Sequence, residues 1–495
     1  MIEKEGQQSA TYIQLRGEPY QKTVMGLNGP ENIDDSFTFL SLVKNTDYIN
    51  KLPQKISEVE HLLEPLTKKG GYYFIDSKLK HGKDLNFSEA FSLATFVFSA
   101  LNYPVRSQLA NRINNLSSDE THLLQATALL SSMSAKEGFH GLSSEEIAGM
   151  VAATIHLDTV VRIKSDKEIT AFGGMGGDRG YPLNGENSKL FSLSTLAAIV
   201  LSTKTPVHKH HSYPNTSKVA GQSAIEAYGA RSDFYTLDSF QKVLKDTNLI
   251  MTSCHNTRTL HTLSHLLKGE TINHVIGPLS FTMSAESSLN AMVGVNEKIH
   301  PEIISRALEI LNRQGFQKYN NSAVYFGTDL KNIPVEYLNA EIYTDSPELK
   351  SHIAIDEVAP PPYCTVAAFM LNGANIGSFI LEPEDFYTPD ELALIDLASL
   401  EIPNSREGIL TANHQALTGK DLSKSMYLAM TTGLGIFLKD HINKEDAFDY
   451  ESRRVNINYL RTSTSEALQN IMNGQALNKL EEYVKATQIY SGNKL

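Results

Sequence analysis

The spacing of apolar residues along the chain changes character twice. From about Asn86 to Ile163 it follows the helical period, and three stretches predict short amphipathic helices: FSEAFSLATFVFSALNYP, DETHLLQATALLSSMSAK and SSEEIAGMVAATIHL. The last opens on Ser-Ser-Glu-Glu, a capping-type start with carboxylates in the first turn. After Thr170, short apolar runs alternate with helical stretches. TAFGG, TPVHKHH and the end of FQKVLKDTNLIMTS read as strands, while LSTLAAIVLS, TSKVAGQSAIEAYGA and PEIISRALEILNRQG read as helices. This alternation predicts an α/β domain with a largely parallel sheet. Residues 331–355 look like an insertion, and the tail from Thr388 to Val484 is mostly helical. Residues 1–83 read as a module of their own, in which the β-favouring pieces TYIQL and GGYYFID flank a polar helical stretch around Ile56 to Leu66.

The 495 residues suggest two to four domains. Ordinary globular composition excludes collagen-like, coiled-coil and wholly disordered chains. With 44 Lys+Arg against 56 Asp+Glu, the net charge is −12, which argues against nucleic acid as a partner. The two cysteines, Cys254 and Cys364, make neither a disulfide framework nor a zinc set, so a reducing, cytoplasmic setting is expected. The N-terminus carries no apolar export signal. The longest mostly apolar stretch, Phe91 to Val105, falls short of the ~20 residues of a membrane span.

Four features carry candidate chemistry. Gly173-Gly174-Met175-Gly176-Gly177-Asp178 follows a predicted strand, and its glycines would let several N–H groups converge on a phosphate. The helix starting near Ser194-Thr195 would add its positive end. The alternative is a plain Gly-rich turn. In Val207-His208-Lys209-His210-His211, His208 and His210 share one strand face, and Lys209 would offer positive charge to an anion. Arg258, His261 and His265 fall at i, i+3 and i+7, which predicts one face of a helix, either lining a ligand site or solvated. Finally, Asp356-Glu357 at a strand end suits Mg²⁺ shared with a substrate's phosphates, or is plain surface charge.

In their order along the chain, these pieces resemble the anthranilate phosphoribosyltransferase family, within the wider group that includes pyrimidine nucleoside phosphorylases. Gly174–Asp178 is similar to the family's Gly-Thr-Gly-Gly-Asp loop, and Ser192-Leu193-Ser194-Thr195 to its Asn-x-Ser-Thr. Lys209-His210-His211-Ser212-Tyr213 looks like its Lys-His-Gly-Asn-Arg, TINHVIGPL like its Thr-Ile-Phe-Asn-x-x-Gly-Pro-Leu, and Asp356-Glu357-Val358 like its Asp-Glu-Ile. The resemblance covers residues 86 to 488, about four-fifths of the chain.

The resemblance implies a small helical domain (84–165), completed by a central segment near 253–275 and hinged to an α/β glycosyltransferase domain (166–495) with a mostly parallel central sheet. It implies a homodimer and small-molecule substrates, with phosphoribosyl pyrophosphate lying in the cleft. The loop Gly174, Met175, Gly176, Gly177 and Asp178, together with Ser192, Ser194, Thr195 and Lys209, would bind the donor. Ser194, Asp356 and Glu357 would hold Mg²⁺. Ser212, Tyr213, Arg258, His261 and His265 would face the acceptor. On that side the chain departs from the family: Asn-Arg is replaced by Ser212-Tyr213, and the arginine pair falls near His265-Leu266. A histidine replaces a bidentate carboxylate contact poorly, so an amine or heterocycle other than anthranilate is the expected acceptor. The remaining alternatives are a nucleoside or nucleotide phosphorylase and a non-catalytic nucleotide binder.

Overall fold

The computed structural model describes residues 46–68, 71–113, 116, 118–176, 181–183, 186–188, 190–212, 218–232, 236–254, 257–267 and 271–491. Ten short strands form one mixed sheet: β1 (Ile169–Gly174), β2 (Val207–His211), β3 (Leu249–Ser253), β4 (Ser288–Gly294), β5 (Lys318–Thr328), β6 (Ala354–Ile355), β7 (Thr365–Leu371), β8 (Ala374–Leu381), β9 (Phe448–Asp449) and β10 (Arg454–Val455). The order across the sheet is β9-β10-β8-β7-β5-β4-β1-β2-β3, with β6 beside β5. The run β5-β4-β1-β2-β3 is parallel throughout. From β5 onward the pairing with β7 and β8 turns antiparallel. β1, β3 and β4 are buried along nearly their whole length and are largely apolar, as sheets covered on both faces require, while β2 is equally buried but carries three histidines and Lys209.

One cover is the helix Leu422–Asp440, buried from Ser423 to Leu438, whose apolar residues are interspersed with small hydroxyl residues rather than confined to one stripe. A Cβ on its Gly435 would stand 2.9 Å from Met292 Sδ of β4, so the helix lies directly on the sheet. On the other side, helix Pro301–Arg313 packs against Ser144–Ala153 of the helical layer.

The helical layer follows the sequence closely. Phe87–Ser99 opens on a capping box between Asn86 and Glu89, and Ser144–Ala153 on one between Ser143 and Glu146. These two helices cross so tightly that a Cβ on Gly149 would lie 2.3 Å from Phe87 O. The long helix Asp119–His140 completes the trio. The central segment joins this layer: helix Asn273–Leu279 is tied to Asp119–His140 by Ile272 N–H donating to Ser134 Oγ (3.2 Å) and by the His274–Glu137 pair (2.9 Å).

The leading segment departs from its reading. GGYYFID is not strand but the start of helix Gly71–Lys80, because Gly71, Ile75, Asp76 and Leu79 recur at the helical period and are buried. Helix Thr46–Glu58 precedes it, and TYIQL lies outside the described residues. These helices pack on the helical layer: Ser92 Oγ donates to Leu62 O (2.7 Å) and Tyr48 Oη to Leu157 O (2.5 Å). Residues 331–355 carry helix Ala340–Asp345 between two 3₁₀ turns, anchored by Tyr343 Oη to Glu297 O (3.2 Å). The helical tail includes two strands that the sequence reading lacks, β9 and β10, which extend the sheet.

Candidate active site

In a parallel sheet ordered 3-2-1-4-5, the connections leave β1 and β4 in opposite directions, and the crevice outside their carboxyl ends is where ligands bind. Gly174 and Gly294 are register partners at those ends. Beyond them, the chain after β6 lays Asp356 and Glu357 across the sheet. A Cβ on Gly294 would fall 1.7 Å from Asp356 O, one on Gly174 2.8 Å from Asp356 Oδ2, and one on Gly327 2.8 Å from Glu357 O. Three glycines on three adjacent strands thus form a shelf that admits this segment only because they have no side chains.

The Gly-rich loop closes on the same carboxylate. Gly176, at φ +66°, donates its N–H to Asp356 Oδ2 (2.9 Å), and Asn296 Nδ2 donates to Gly176 O (3.1 Å). Met175, buried, donates its N–H to Gly294 O (3.0 Å). At the start of helix Leu193–Leu201, Ser194 N–H donates to Glu357 Oε1 (3.2 Å), and the Ser194 hydroxyl bonds the same carboxylate. Ser192 sits on Asn413: its N–H donates to Asn413 Oδ1 (2.8 Å) and its Oγ accepts from Nδ2 (3.2 Å). Thr195 is buried beside Gly221. Gly177 and Asp178 lie outside the described residues.

The electrostatics are those of a buried charge cluster. Burial, and then the adjacent Asp356 carboxylate, push the Glu357 carboxyl well above the ordinary glutamate range, against the pull of Lys209. Lys209, buried in the middle of β2, is pulled down by burial and held up by Glu357 and Asp356. Glu357 Oε2 is shut off from solvent without a hydrogen-bond partner among the described residues. The Tyr325 hydroxyl is in the same condition, kept protonated by burial and by the two carboxylates.

These donors fit Mg²⁺. Hard carboxylate oxygens, a serine hydroxyl and one unsatisfied buried oxygen are the ligands it takes. Among the described residues, no three His, Cys, Asp or Glu side chains gather into a cage. A cation that keeps several waters and shares its shell with substrate phosphates needs only one or two carboxylates from the protein.

On the acceptor side, His208 and His210 do share a face, with rings 6.1 Å apart and 14° from parallel. His208 Nε2 is within bonding distance of Thr252 Oγ1 (2.9 Å) and Thr282 Oγ1 (2.8 Å). Burial, before any charge, keeps His208, His210 and His211 neutral. The Arg258 stripe is corrected: the helix runs only from Thr259 to Leu266, so Arg258 precedes it. Nor is the segment a solvated face, since Arg258 and His261 are buried. Arg258 Nη1 donates to Gly277 O (3.0 Å), whereas Nε and Nη2 are buried without partners among the described residues. His261 Nδ1 bonds Asn273 Nδ2 (2.6 Å). Ser212 follows β2 and is half-buried, while Tyr213 and the His265 side chain lie outside the description.

Gly294, Gly327, Asn296, Tyr325 and Asn413 went unnoticed in the sequence. Gly294, closing an apolar run ahead of Asn296, is the one local signal the sequence offers.

No protein-family model matches the chain. Among curated proteins, it is similar to the anthranilate phosphoribosyltransferase of Pyrococcus abyssi, 26% identical over 250 residues, or 50% of this chain and 62% of that one. That of Methanococcus maripaludis is 31% identical over 172 residues, 34% of this chain and 49% of the relative. Both matches span less than two thirds of the relatives' own length. Among solved structures, the anthranilate phosphoribosyltransferase of Saccharomyces cerevisiae in complex with PRPP and Mg aligns with a TM-score of 0.58 at 16% identity. That alignment covers 86% of this chain and 99% of the yeast chain. The chain has the fold of the anthranilate phosphoribosyltransferases and is a divergent, low-identity relative of them.

Proposed function

We propose that the protein transfers the phosphoribosyl group of phosphoribosyl pyrophosphate, with Mg²⁺, to an amine or heterocycle other than anthranilate. The observation that carries this reading is the seating of Asp356 and Glu357 against the Gly-rich loop at the crevice of the sheet. The curated relatives and the yeast complex with PRPP and Mg support the donor.

Displacing pyrophosphate builds negative charge on the leaving group and positive charge on the anomeric carbon. Mg²⁺, when bound, neutralises the leaving charge. The chain's own part is preorganisation. The N–H groups of Gly176 and Ser194 hold the two carboxylates in place, and the positive end of helix Leu193–Leu201 and the buried Lys209 supply the field that favours the pyrophosphate there. Ser194 orients Glu357. No protein nucleophile is required, because positioning the acceptor near the anomeric carbon supplies much of the rest. The Arg258 N–H groups left without partners among the described residues and the neutral histidines of β2 suit a polar, planar acceptor. The adjacent carboxylates weigh against a phosphorylase, which would use inorganic phosphate and need no metal.

The same reading makes the protein a cytoplasmic homodimer joined through its helical layer. Tyr73, Leu124 and Phe139 there expose 71%, 71% and 84% of their surface. No helix among the described residues is long and apolar enough to cross a membrane.

The test is calorimetric titration of phosphoribosyl pyrophosphate with Mg²⁺ and with EDTA. Metal-dependent binding supports the donor; no binding in either condition overturns it.

A further inference from the structure

We propose that the leading helix and the junction between the two layers form a second binding site, for a small carboxylate with an apolar or aromatic body. A cavity of about 360 Å³ opens there, at the lower end of small-molecule pockets. Glu58, Val59 and Leu62 of the leading segment line one side, and His156, Arg162 and Phe316 the other. The cavity lies away from the Gly-rich loop. Arg162 Nε donates to Met283 O (2.9 Å) and Nη2 to Gln317 Oε1 (3.1 Å), and these residues precede β4 and β5. The cavity therefore sits at the amino ends of those strands, opposite Asp356.

The charges are unbalanced. Arg162 is half-buried and spends two of its five donors on neutral oxygens, with no carboxylate partner among the described residues. Lys55, whose Nζ donates to His156 O (3.0 Å), is brought down to about 8, mainly by burial and then by Arg162. His156 is held neutral by burial, and its pKa falls to about 4. Against two cations stands Glu58, an exposed side chain 3.7 Å from His156 Nε2. A ligand carboxylate restores the balance and gives the guanidinium the partner that its planar fork matches.

Val59, Leu62, Ala285 and Phe316 make much of the remaining wall apolar, with His61 and Gln314 interrupting it. Phe316 meets the His156 ring edge to face at 5.7 Å, and Val59 and Leu62 close the side toward the leading helix. A bare phosphate would leave this surface uncovered, which is the reason for assigning an organic carboxylate.

The test is calorimetric titration of the full chain with benzoate and, separately, with inorganic phosphate. Benzoate should bind at one site per chain, at least about tenfold more weakly to Arg162→Gln, the loss expected for one charge-assisted contact. Ala285→Leu, which fills the rim and leaves every charge in place, should abolish binding. Asp356→Asn should leave it unchanged. The proposal is overturned if benzoate gives no heat, if its binding survives Ala285→Leu, or if phosphate binds as well as benzoate. Should Arg162→Gln fail to fold, Ala285→Leu decides alone.

Discussion

The carbonyl oxygen of Asp356 stands 1.7 Å from the place a Cβ on Gly294 would occupy, so the two residues hold each other's conformation. No side chain fits between β4 and the segment carrying the carboxylates.

Gly294→Ala should therefore displace Asp356 rather than merely crowd it. We expect a stability loss of about 1–3 kcal/mol, the usual range for overpacking, together with loss of Mg²⁺-dependent donor binding. Urea unfolding at unchanged m-value and the donor titration check the two halves. Full donor binding in the variant would contradict the shelf.

Glu357→Gln separates stability from binding. The folded-state pKa of Glu357 is raised, so its contribution is intact below the ordinary glutamate value and is lost as pH rises through the folded value. The metal-free wild type should thus lose stability relative to Glu357→Gln as pH rises from the ordinary glutamate range to about 8, and no further above it. At neutral pH the variant should bind the donor no better with Mg²⁺ than with EDTA. Melting temperatures across pH, beside the titration, provide the readout.

Asp158 is buried, and its Oδ2 accepts the N–H groups of Thr259 and Leu260 at 2.9 Å each, while Oδ1 takes the Thr259 hydroxyl and Asn102 Nδ2. It caps helix Thr259–Leu266 from a hundred residues away and so ties the central segment to the helical layer. Asp158→Ala leaves those donors orphaned, and a loss of about 2–4 kcal/mol is expected. Chemical denaturation would show it; a loss below 1 kcal/mol would refute the capping role.

His274 and Glu137 pair at 2.9 Å, and the carboxylate outweighs burial to raise the histidine above its ordinary 6.5. This stabilisation is complete below that value and disappears as pH rises through the folded pKa. Glu137→Gln should accordingly be less stable than wild type at mildly acid pH, and the gap should close at alkaline pH. A gap that widened with pH would reverse the assignment.

Much of this was legible in the sequence, for local reasons. The capping box at Ser143 and Glu146, the strand before the Gly-rich loop and the pairing of His208 with His210 all depend on residues within one element. Asp356-Glu357 could be singled out because two carboxylates adjoin at a strand end. What stayed hidden depends on contacts made across the fold. Gly294 and Gly327 matter only because another segment crosses them, and Asn413 reaches Ser192 across 221 positions. The misreading of Arg258 has the same origin: the cap that fixes the helix start at Thr259 comes from Asp158, outside any local window. GGYYFID failed differently. Its aromatic residues favour a strand, but its burial repeats at the helical period and tertiary packing decides.

The leading helix is stapled to the turn at Thr154–Asp158 by a reciprocal pair, Lys55 Nζ to His156 O and His156 Nε2 to Lys55 O, both at 3.0 Å, with Tyr48 on Leu157. Any rocking of the helical layer over the sheet must carry residues 46–63 along and change the gap between Val59 and Phe316. A rocking that opened the crevice at Asp356 would therefore also reshape the space around Arg162.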